Sequence, residues 1–332
     1  MKAFIKAISY YLPERVITNE DLAQLFPDYT IDKVSSKIGV TERHIAAHNE
    51  TSADLAAKAA GKLFEEYHLS PSSIDFLLLC TQSPDYFLPT TACILQERLG
   101  IPTTAGALDF NLGCSGFVYG LAIAKGLITG GIASRILLLT AETYSKFTHP
   151  LDKSNHTIFG DGAAATLISD NGFAEIGNFS LGTDGRGADK LIVKTGGMRH
   201  PEKMNDLHVA EGNPVSSDHL FMDGSEILNF TLDAVPPLIS ETLHRNIVAQ
   251  PDIDLFVFHQ ANKYMMNFLR KKIKIEEEKF YYCLEKFGNT VSSTIPIALK
   301  EAMTDGSIKE MQKVLIAGFG VGYSWGGTVL LF

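Results

Sequence analysis

Two segments of the sequence resemble each other at a fixed distance along the chain. The run "SIDFLLLCTQ" matches "DIDLFVFHQ", and their shared isoleucines, Ile74 and Ile253, lie 179 positions apart. The run "SRILLL" from Ser134 and the run "KVLIAG" from Lys313 lie 179 positions apart as well. A third pair, "AATLIS" and "GTVLLF", follows in the same order after a shorter loop. The spacing indicates a duplicated unit, with chance similarity between short apolar runs as the alternative.

Each half of the duplication has the pattern of strand, helix, strand, buried helix, strand and strand. Continuous apolar strands such as "FLLLC" and "ILLLT" belong in a sheet that is covered on both faces. The helix that starts near Phe117 is apolar almost all round, which is typical of a core helix. We therefore predict an α/β protein with two buried helices, one from each half, packed between two sheets. The halves are predicted to meet near residues 172–178, giving units 1–175 and 176–332.

The segment from Asp184 to Asp218 is polar, glycine-rich and weakly periodic. A long irregular stretch inside a compact protein is more often a lid or the mouth of a site than filler. We expect this segment to border a functional pocket.

Composition and charge exclude several classes of function. The chain has 332 residues, is 45% hydrophobic and carries a formal net charge of −9, which argues against a general binder of nucleic acid or anionic membranes. The N-terminus has charges and no long apolar core, so it does not resemble a secretory signal, and we expect a cytoplasmic protein. The uncharged run from Val314 to Phe332 approaches the roughly 20 residues that span a bilayer, but its glycines divide it into strand, loop and strand.

Four cysteines are present, with no CxxC pair and no Cys/His cluster at zinc spacing, so no metal site is predicted. Cys80 and Cys283 end strand-like runs and Cys93 lies in an apolar, helix-like segment. These three are interpreted as reduced thiols that fill the core.

Cys114 differs, because "NLGCSGF" places it where a strand-like run meets the buried helix. Backbone N–H groups and the helix dipole at a helix N-terminus favour a thiolate, which a nucleophile requires. Gly113 and Gly116 permit a sharp turn and the close approach of a substrate. The alternative is a tight turn that happens to contain a buried thiol.

Two further polar residues follow apolar runs in the second half. His259 follows a strand directly in "VFHQAN", and Asn289 follows Gly288 in "KFGNTVSS". Taken alone, the histidine fits a capped structural residue and the asparagine a turn or helix N-cap. The repeat distance, however, puts the "GNTVSS" turn in the place that "LGCSG" occupies in the first half. Duplication would bring the two turns face to face around one pocket.

These motifs together resemble a known family. "NLGCSGFVYGLA", "IFGDGAAAT", "FHQAN", "KFGNT" and "GFGVGYSWGG", in this order, are similar to β-ketoacyl-acyl carrier protein (ACP) synthase III in the thiolase superfamily. The resemblance spans nearly the full chain. It implies a duplicated thiolase-like fold, layered α-β-α-β-α, and a homodimer in which the region "YFLPTTACILQERLG" lends a side chain to the neighbour's acyl pocket.

The resemblance also implies a reaction and a role for each residue. Cys114 would take the acyl group from acyl-CoA as a covalent thioester, and malonyl-ACP would then enter and lose CO2. His259 and Asn289 would donate hydrogen bonds to the malonyl thioester carbonyl as the enolate forms. The backbone N–H groups of Cys114 and of Val321, between Gly320 and Gly322, would hold the oxyanion. No cofactor is implied beyond the CoA and ACP thioesters, and the pathway is the initiation of fatty acid biosynthesis or a related specialised one.

Departures from the family's pattern concern the substrates. Lys33 stands where the family has an adenine-stacking tryptophan, Lys37 and Lys153 stand where it has arginines that contact CoA, and Leu88 replaces a pocket-gating phenylalanine. Lysine keeps the charge but loses the fork geometry of arginine. These changes permit a primer other than acetyl.

After His259, Tyr264 stands where the family has an arginine for carrier-protein docking. Basic residues remain on the predicted helix and suit an acidic carrier protein, although a solvated helix face is the equally simple interpretation. They are Lys263, Arg270, Lys271 and Lys272.

Other reactions use the same residue types. A degradative thiolase needs a second cysteine in the C-terminal glycine-rich loop, and "GFGVGYSWGG" has none. A plant-type polyketide synthase is usually longer, and a cysteine hydrolase has no need of the duplication. The alternative that stays open is a homologue that moves an acyl group to a hydroxyl or an amine without condensation.

Overall fold

A computed structural model describes residues 2–27, 30–210 and 212–332, with the side chains of residues 31–34 left out. The helices are α1 Asn19–Leu25, α2 Ile31–Ile38, α3 Ser52–Glu66, α4 Thr91–Arg98, α5 Gly116–Thr129, α6 Lys153–Ile158, α7 Gly224–Asn246, α8 Lys263–Ile273 and α9 Thr294–Thr304. The strands are β1 Phe4–Tyr11, β2 Arg15–Thr18, β3 Glu42–Ile45, β4 Phe76–Cys80, β5 Gly106–Phe110, β6 Arg135–Glu142, β7 Gly162–Ser169, β8 Ala174–Ile176, β9 Ser180–Thr183, β10 Leu191–Ile192, β11 His208–Ala210, β12 Asn213–Val215, β13 Phe221–Met222, β14 Leu255–Phe258, β15 Lys313–Gly320 and β16 Ser324–Leu331.

The strands of the two halves pair in the same way. In the first half β4 runs parallel to β6, with Phe76 opposite Ile136, and β6 runs antiparallel to β7. In the second half β14 runs parallel to β15, with Leu255 opposite Val314, and β15 runs antiparallel to β16. The two halves therefore share one local topology, as the repeat in the sequence predicts.

The distance between equivalent residues of the two halves falls from 179 to 178 between the first strand pair, β4 and β14, and the second, β6 and β15. The carboxylate of Asp75 accepts the N–H groups of Ser134 and Arg135, and that of Asp254 accepts the N–H of Lys313. The two aspartates lie 179 positions apart, but the first residues of β6 and β15, Arg135 and Lys313, lie 178 apart. The pairing of Ser134 with Lys313 predicted from the sequence is thus wrong by one residue, because the second half has one residue fewer between these strands.

The short strand β8 joins the two halves into one hydrogen-bonded sheet. It pairs antiparallel with β1 on one side and with β16 on the other. The strand order is β14-β15-β16-β8-β1-β7-β6-β4-β5. The two predicted sheets are therefore continuous through β8, and the boundary predicted between residues 175 and 176 falls inside that strand. The division at this position stays a prediction.

Three apolar clusters divide the protein into layers. The central cluster contains Leu121 of α5, Leu299 of α9 and strand residues from both halves, such as Leu78 and Ile316. A second cluster packs α3 and α4 on the first half of the sheet, and a third packs α7 and α8 on the second half. Side chains alternate between the faces of a strand, so Leu78 faces the buried helices while its neighbours face α3. The α-β-α-β-α layering with two buried helices is confirmed.

The helices of the described ranges include none with both the length and the apolar character needed to cross a bilayer.

The segment from Asp184 to Asp218 contains more regular structure than its sequence suggests. It holds β10, β11 and β12, of which β11 is exposed and pairs antiparallel with the half-buried β12. Among the described residues of this segment, Leu191 alone lines the cavity described below. The segment therefore borders the site at one residue.

Candidate active site

Cys114 lies in the turn between β5 and the buried helix α5. Ser115 is the N-cap residue of that helix. A Cβ atom placed on Gly320 would lie 2.7 Å from Cys114 Sγ, so the glycine-rich loop can pack on the thiol only because residue 320 has no side chain. The helix start and the C-terminal loop thus enclose the sulfur from two sides.

Burial dominates the electrostatics of this thiol. Cys114 is 6% exposed, and burial raises its pKa to about 12. The backbone N–H groups of Val321 and of Cys114 itself lower the pKa, whereas the charge of Glu142 raises it. The backbone N–H groups therefore act in the predicted direction, but the loss of water around the sulfur outweighs them in the resting protein.

His259 follows β14 directly and is 1% exposed. Its Nδ1 lies 2.7 Å from Thr294 Oγ1, at the first residue of α9. Burial lowers the pKa of the imidazole to about 3, so the ring is neutral at physiological pH. Because Nδ1 is engaged, Nε2 is the nitrogen left for a ligand.

Asn289 is held by its backbone and by its own carboxamide oxygen. Its N–H donates to the carbonyl of Ile158, and its carbonyl accepts the N–H of Gly160 at 3.1 Å. Its Oδ1 accepts the N–H of Val291 at 2.9 Å. The preceding Gly288 has φ = 65°, a conformation that favours glycine. With Oδ1 engaged, the Nδ2 hydrogens of Asn289 are the group left to donate.

One cavity of about 130 Å³ brings these residues together. Its wall includes Cys114, His259, Asn289, Gly320 and Val321. The rest is mostly apolar and includes Tyr144, Phe159, Leu191, Met222, Ile227 and Met265. A thiol, a neutral imidazole and a carboxamide in one apolar cavity can hold an acyl thioester and stabilise a developing oxyanion.

Comparisons with known proteins agree with this geometry. The family model of 3-oxoacyl-[ACP] synthase III matches residues 108–185, and its C-terminal model matches residues 243–332. The β-ketoacyl-[ACP] synthase III of Caldanaerobacter subterraneus is 35% identical over 96% of this chain and 95% of its own length. Synthase III 2 of Halalkalibacterium halodurans is 37% identical, over 99% and 96%. A crystal structure of 3-oxoacyl-(ACP) synthase III has a TM-score of 0.97 and 51% identity, with both chains covered fully.

The chain belongs to the β-ketoacyl-ACP synthase III family. The family, the fold class and the activity class of an acyl-transferring condensing enzyme predicted from the sequence are thereby confirmed.

Three residues that depart from the pattern of the synthase III family, Leu88, Lys37 and Lys153, lie outside the cavity wall. Leu88 is 80% exposed in the loop after β4 and does not line the cavity of this chain. Lys37 is exposed near the end of α2, and Lys153 is half-buried at the start of α6. The side chain of Lys33 lies outside the described residues. Gly322 follows Val321 in the loop but is not part of the wall.

The predicted carrier-protein residues on α8 have different surroundings. Lys263 and Lys271 are exposed. Arg270 forms an ion pair with Glu277 at 3.0 Å, and Lys272 donates to the carbonyl of Leu232 at 2.7 Å. The charges of the first two are thus more available to a partner than those of the other two.

Two buried residues near the thiol, Glu142 and Tyr144, were not predicted from the sequence. The Glu142 carboxylate is buried and accepts the hydroxyl of Ser292 at 2.9 Å, which links β6 to the turn before α9. Tyr144 lines the cavity, and its hydroxyl donates to Gln82 Oε1 at 2.5 Å. Glu142 had a signal in the sequence, because it ends a continuous apolar strand in the same way that His259 follows one.

Proposed function

We propose that this cavity carries out a decarboxylative condensation of an acyl-CoA primer with malonyl-ACP, with Cys114 as the nucleophile. The observation that carries the proposal is the shared wall of Cys114, His259, Asn289 and Val321 in one apolar cavity. The steps use only side chains and backbone groups of this chain and the two thioesters.

The first half-reaction moves the acyl group to Cys114. The sulfur attacks the carbonyl carbon of acyl-CoA, the bond from that carbon to the CoA sulfur breaks, and the thiol proton ends on the departing CoA. The backbone N–H groups of Cys114 and Val321, which act on the sulfur at rest, hold the oxyanion that develops two bonds from that sulfur. Because the thiol has a high pKa, loss of its proton is coupled to the attack.

The second half-reaction forms the carbon–carbon bond. Malonyl-ACP loses CO2, and the electron pair of the broken bond passes into an enolate. The enolate oxygen accepts Nε2–H of His259 and Nδ2–H of Asn289, and a neutral imidazole can donate in this way. The enolate carbon attacks the acyl carbonyl, the bond to sulfur breaks, and the departing Cys114 thiolate takes up a proton from water. The products are CoA, CO2 and β-ketoacyl-ACP.

Three helices carry lysines whose positive charge would attract the phosphates of acyl-CoA and an acidic carrier protein. Helix α2 packs against α6 and α8, and Gly39 at the end of α2 lies against Lys263. Ile158, the last residue of α6, and Asn262, the N-cap of α8, both line the cavity. Positive charge from Lys37, Lys153 and Lys263 would therefore surround the route by which an anionic thioester enters.

A homodimer is the proposed assembly. Tyr86, Phe87 and Leu88 are 63%, 74% and 80% exposed on the loop after β4. Strand β5 ends the sheet at the same side, and an open strand edge beside an apolar loop favours pairing with another chain. Sedimentation equilibrium tests the assembly, and Phe87→Asp should weaken it.

The decisive experiment follows both substrates in one assay. The protein is incubated with acyl-CoA and malonyl-ACP, and CO2 and the carrier-bound product are measured. CO2 release with a β-ketoacyl product is expected, and Cys114→Ser is the control that should give neither. Acyl transfer to a hydroxyl or amine acceptor without CO2 release would contradict the proposal and favour the non-condensing homologue.

A further inference from the structure

The hydroxyl of Thr294 is the side-chain partner of the His259 ring. Thr294 Oγ1 lies 2.7 Å from His259 Nδ1 and 3.1 Å from the carbonyl oxygen of Val291, and all three residues are buried. A threonine hydroxyl carries one proton, so it can donate to only one of these two acceptors. Which acceptor receives the proton decides which nitrogen of His259 carries a hydrogen.

Two arrangements satisfy these contacts. If Thr294 donates to Val291, its oxygen accepts Nδ1–H, and Nε2 faces the cavity as a bare acceptor. If Thr294 donates to Nδ1, the neutral ring carries its hydrogen on Nε2 and faces the cavity as a donor. The first arrangement makes His259 a base, and the second makes it a hydrogen-bond donor.

We infer that Thr294 is a positioning residue that donates to Nδ1 and holds His259 in the Nε2–H tautomer. Hydroxyl hydrogen bonds to oxygen fall between about 2.5 and 3.0 Å, so the contact with Val291 is long while the contact with His259 is near the usual length. This inference rests on the proposed function, in which Nε2–H donates to the enolate oxygen.

The surroundings of the ring agree with this assignment. A histidine oriented by a carboxylate donates Nδ1–H to it and presents Nε2 as a base. In the part of the chain that the structure describes, the ring of His259 bonds to the Thr294 hydroxyl and not to a carboxylate. The edge-on ring of Phe319, with centroids 6.0 Å apart, supplies packing without a polar group. The ring therefore depends on Thr294 for its tautomer.

The test separates the two half-reactions in Thr294→Val, which keeps the shape and removes the hydroxyl. Decarboxylation of malonyl-ACP should fall about tenfold, the effect of losing one useful hydrogen bond, while acylation of Cys114 stays within about twofold. Thr294→Ser restores the hydroxyl and should recover decarboxylation. Thr242→Val is the matched control, since Thr242 is a buried threonine of α7 that donates to the carbonyl of Leu238 at 2.8 Å and does not line the cavity. It should leave both half-reactions unchanged.

A spectroscopic measurement on the wild-type protein tests the inference even if Thr294→Val does not fold. Nitrogen-15 NMR of labelled histidine should show His259 as the Nε2–H tautomer, and Thr294→Val should shift it toward a mixture. An Nδ1–H tautomer in the wild type, or equal effects of Thr294→Val on both half-reactions, including no effect on either, would overturn the inference. If the wild-type protein does not decarboxylate malonyl-ACP, the proposed function is refuted. The NMR measurement would still show whether Thr294 sets the tautomer of His259.

Discussion

The turn before α5 and the turn before α9 share one backbone conformation at the N-cap residue but have different chemistry. Ser115 and Ser293 are the N-cap residues, with φ and ψ of −88° and −8° in the first and −88° and −7° in the second. Neither side chain caps its helix. Ser115 bonds to Ser324 at 2.7 Å and Ser293 bonds to Thr140 at 2.9 Å, so each serine ties its turn to a neighbouring strand. The two halves have kept the serine bond that holds each turn, but the residues that each turn places at the cavity differ.

The two turns differ most clearly at the residue before each N-cap. Cys114 stands before Ser115, and Ser292 stands before Ser293, so the true counterpart of the thiol is Ser292 and not residue 293 as the repeat distance of 179 predicts. Ser292 donates to the buried Glu142 and does not line the cavity. The first turn supplies the proposed nucleophile, and the second supplies Asn289 and Thr294. Equivalent positions in a duplicated fold therefore need not share a task.

The largest expected effect is on the nucleophile. Cys114→Ser should abolish the covalent acyl adduct, because a serine hydroxyl in the same buried position is a far weaker nucleophile without an adjacent base. Intact-protein mass after incubation with acyl-CoA measures the adduct. Cys80→Ser, at a second buried thiol beside Gly116, should keep it. Cys93→Ser should keep it as well; Cys93 is exposed, so the interpretation that it fills the core is wrong. An adduct that persists without Cys114 would show that the first turn is not the acylated one.

The second effect should fall on one half-reaction only. Asn289→Ala removes a donor aimed at the enolate, and loss of one such donor lowers the rate about 100- to 1,000-fold. Decarboxylation of malonyl-ACP should fall by this factor, while acylation of Cys114 changes little. Asn289→Asp keeps the oxygen that Val291 binds but removes the donor, so it should be equally poor. Equal loss of both half-reactions would mean that the two turns do not divide the work.

A third effect tests the close approach of the glycine-rich loop. Gly320→Ala places a Cβ atom 2.7 Å from Cys114 Sγ, so the loop or the thiol must move, and acylation should slow about tenfold or more. Gly61→Ala is the control, because Gly61 lies in α3 with open space around its Cβ position and should gain about 0.5–1 kcal/mol in free energy of unfolding. Unchanged acylation in Gly320→Ala would show that the loop does not confine the sulfur.

Much of the fold and the core of the site could be predicted from sequence because their signals are local. The continuous apolar runs of β4, β6, β14 and β15 carry the duplication, and His259 is visible as a polar residue directly after one of them. The facing turns of Cys114 and Asn289 follow from the repeat, and the family resemblance adds His259 to them. The roles assigned to them stay predictions that the variants above test.

The features that could not be predicted from the sequence depend on contacts between distant segments of the chain. The joining strand β8 has three residues, too few for a periodic pattern. The high pKa of Cys114 follows from burial by the glycine-rich loop about 200 positions away along the chain, which no helix-dipole argument includes. In the sequence, Thr294 is an ordinary residue at the start of a helix, and only the structure shows that its hydroxyl contacts His259.

The expected effect that bears least on catalysis is one on stability, and it concerns Glu142, which links the first half to the second turn. Burial raises the pKa of this carboxyl to about 8, although the N–H of Gln82 and the hydroxyls of Ser83 and Ser292 act to lower it. An unfolded glutamate has a pKa near 4.3, so between these values the folded protein binds the extra proton. Stability should therefore be full below about pH 4 and fall as pH rises toward 8, by at most about 1.4 kcal/mol per pH unit.

Glu142→Gln isolates this contribution, because glutamine keeps the shape and does not ionise. The difference in free energy of unfolding between wild type and Glu142→Gln, measured by denaturant titration from pH 5 to 9, should move against the wild type as pH rises and level off above about pH 8. Ser292→Ala removes a hydroxyl that favours the charged form and should extend the slope to higher pH. A difference that does not change with pH would mean that the carboxyl ionises at its ordinary pKa, and that the link between the two halves tolerates a full charge.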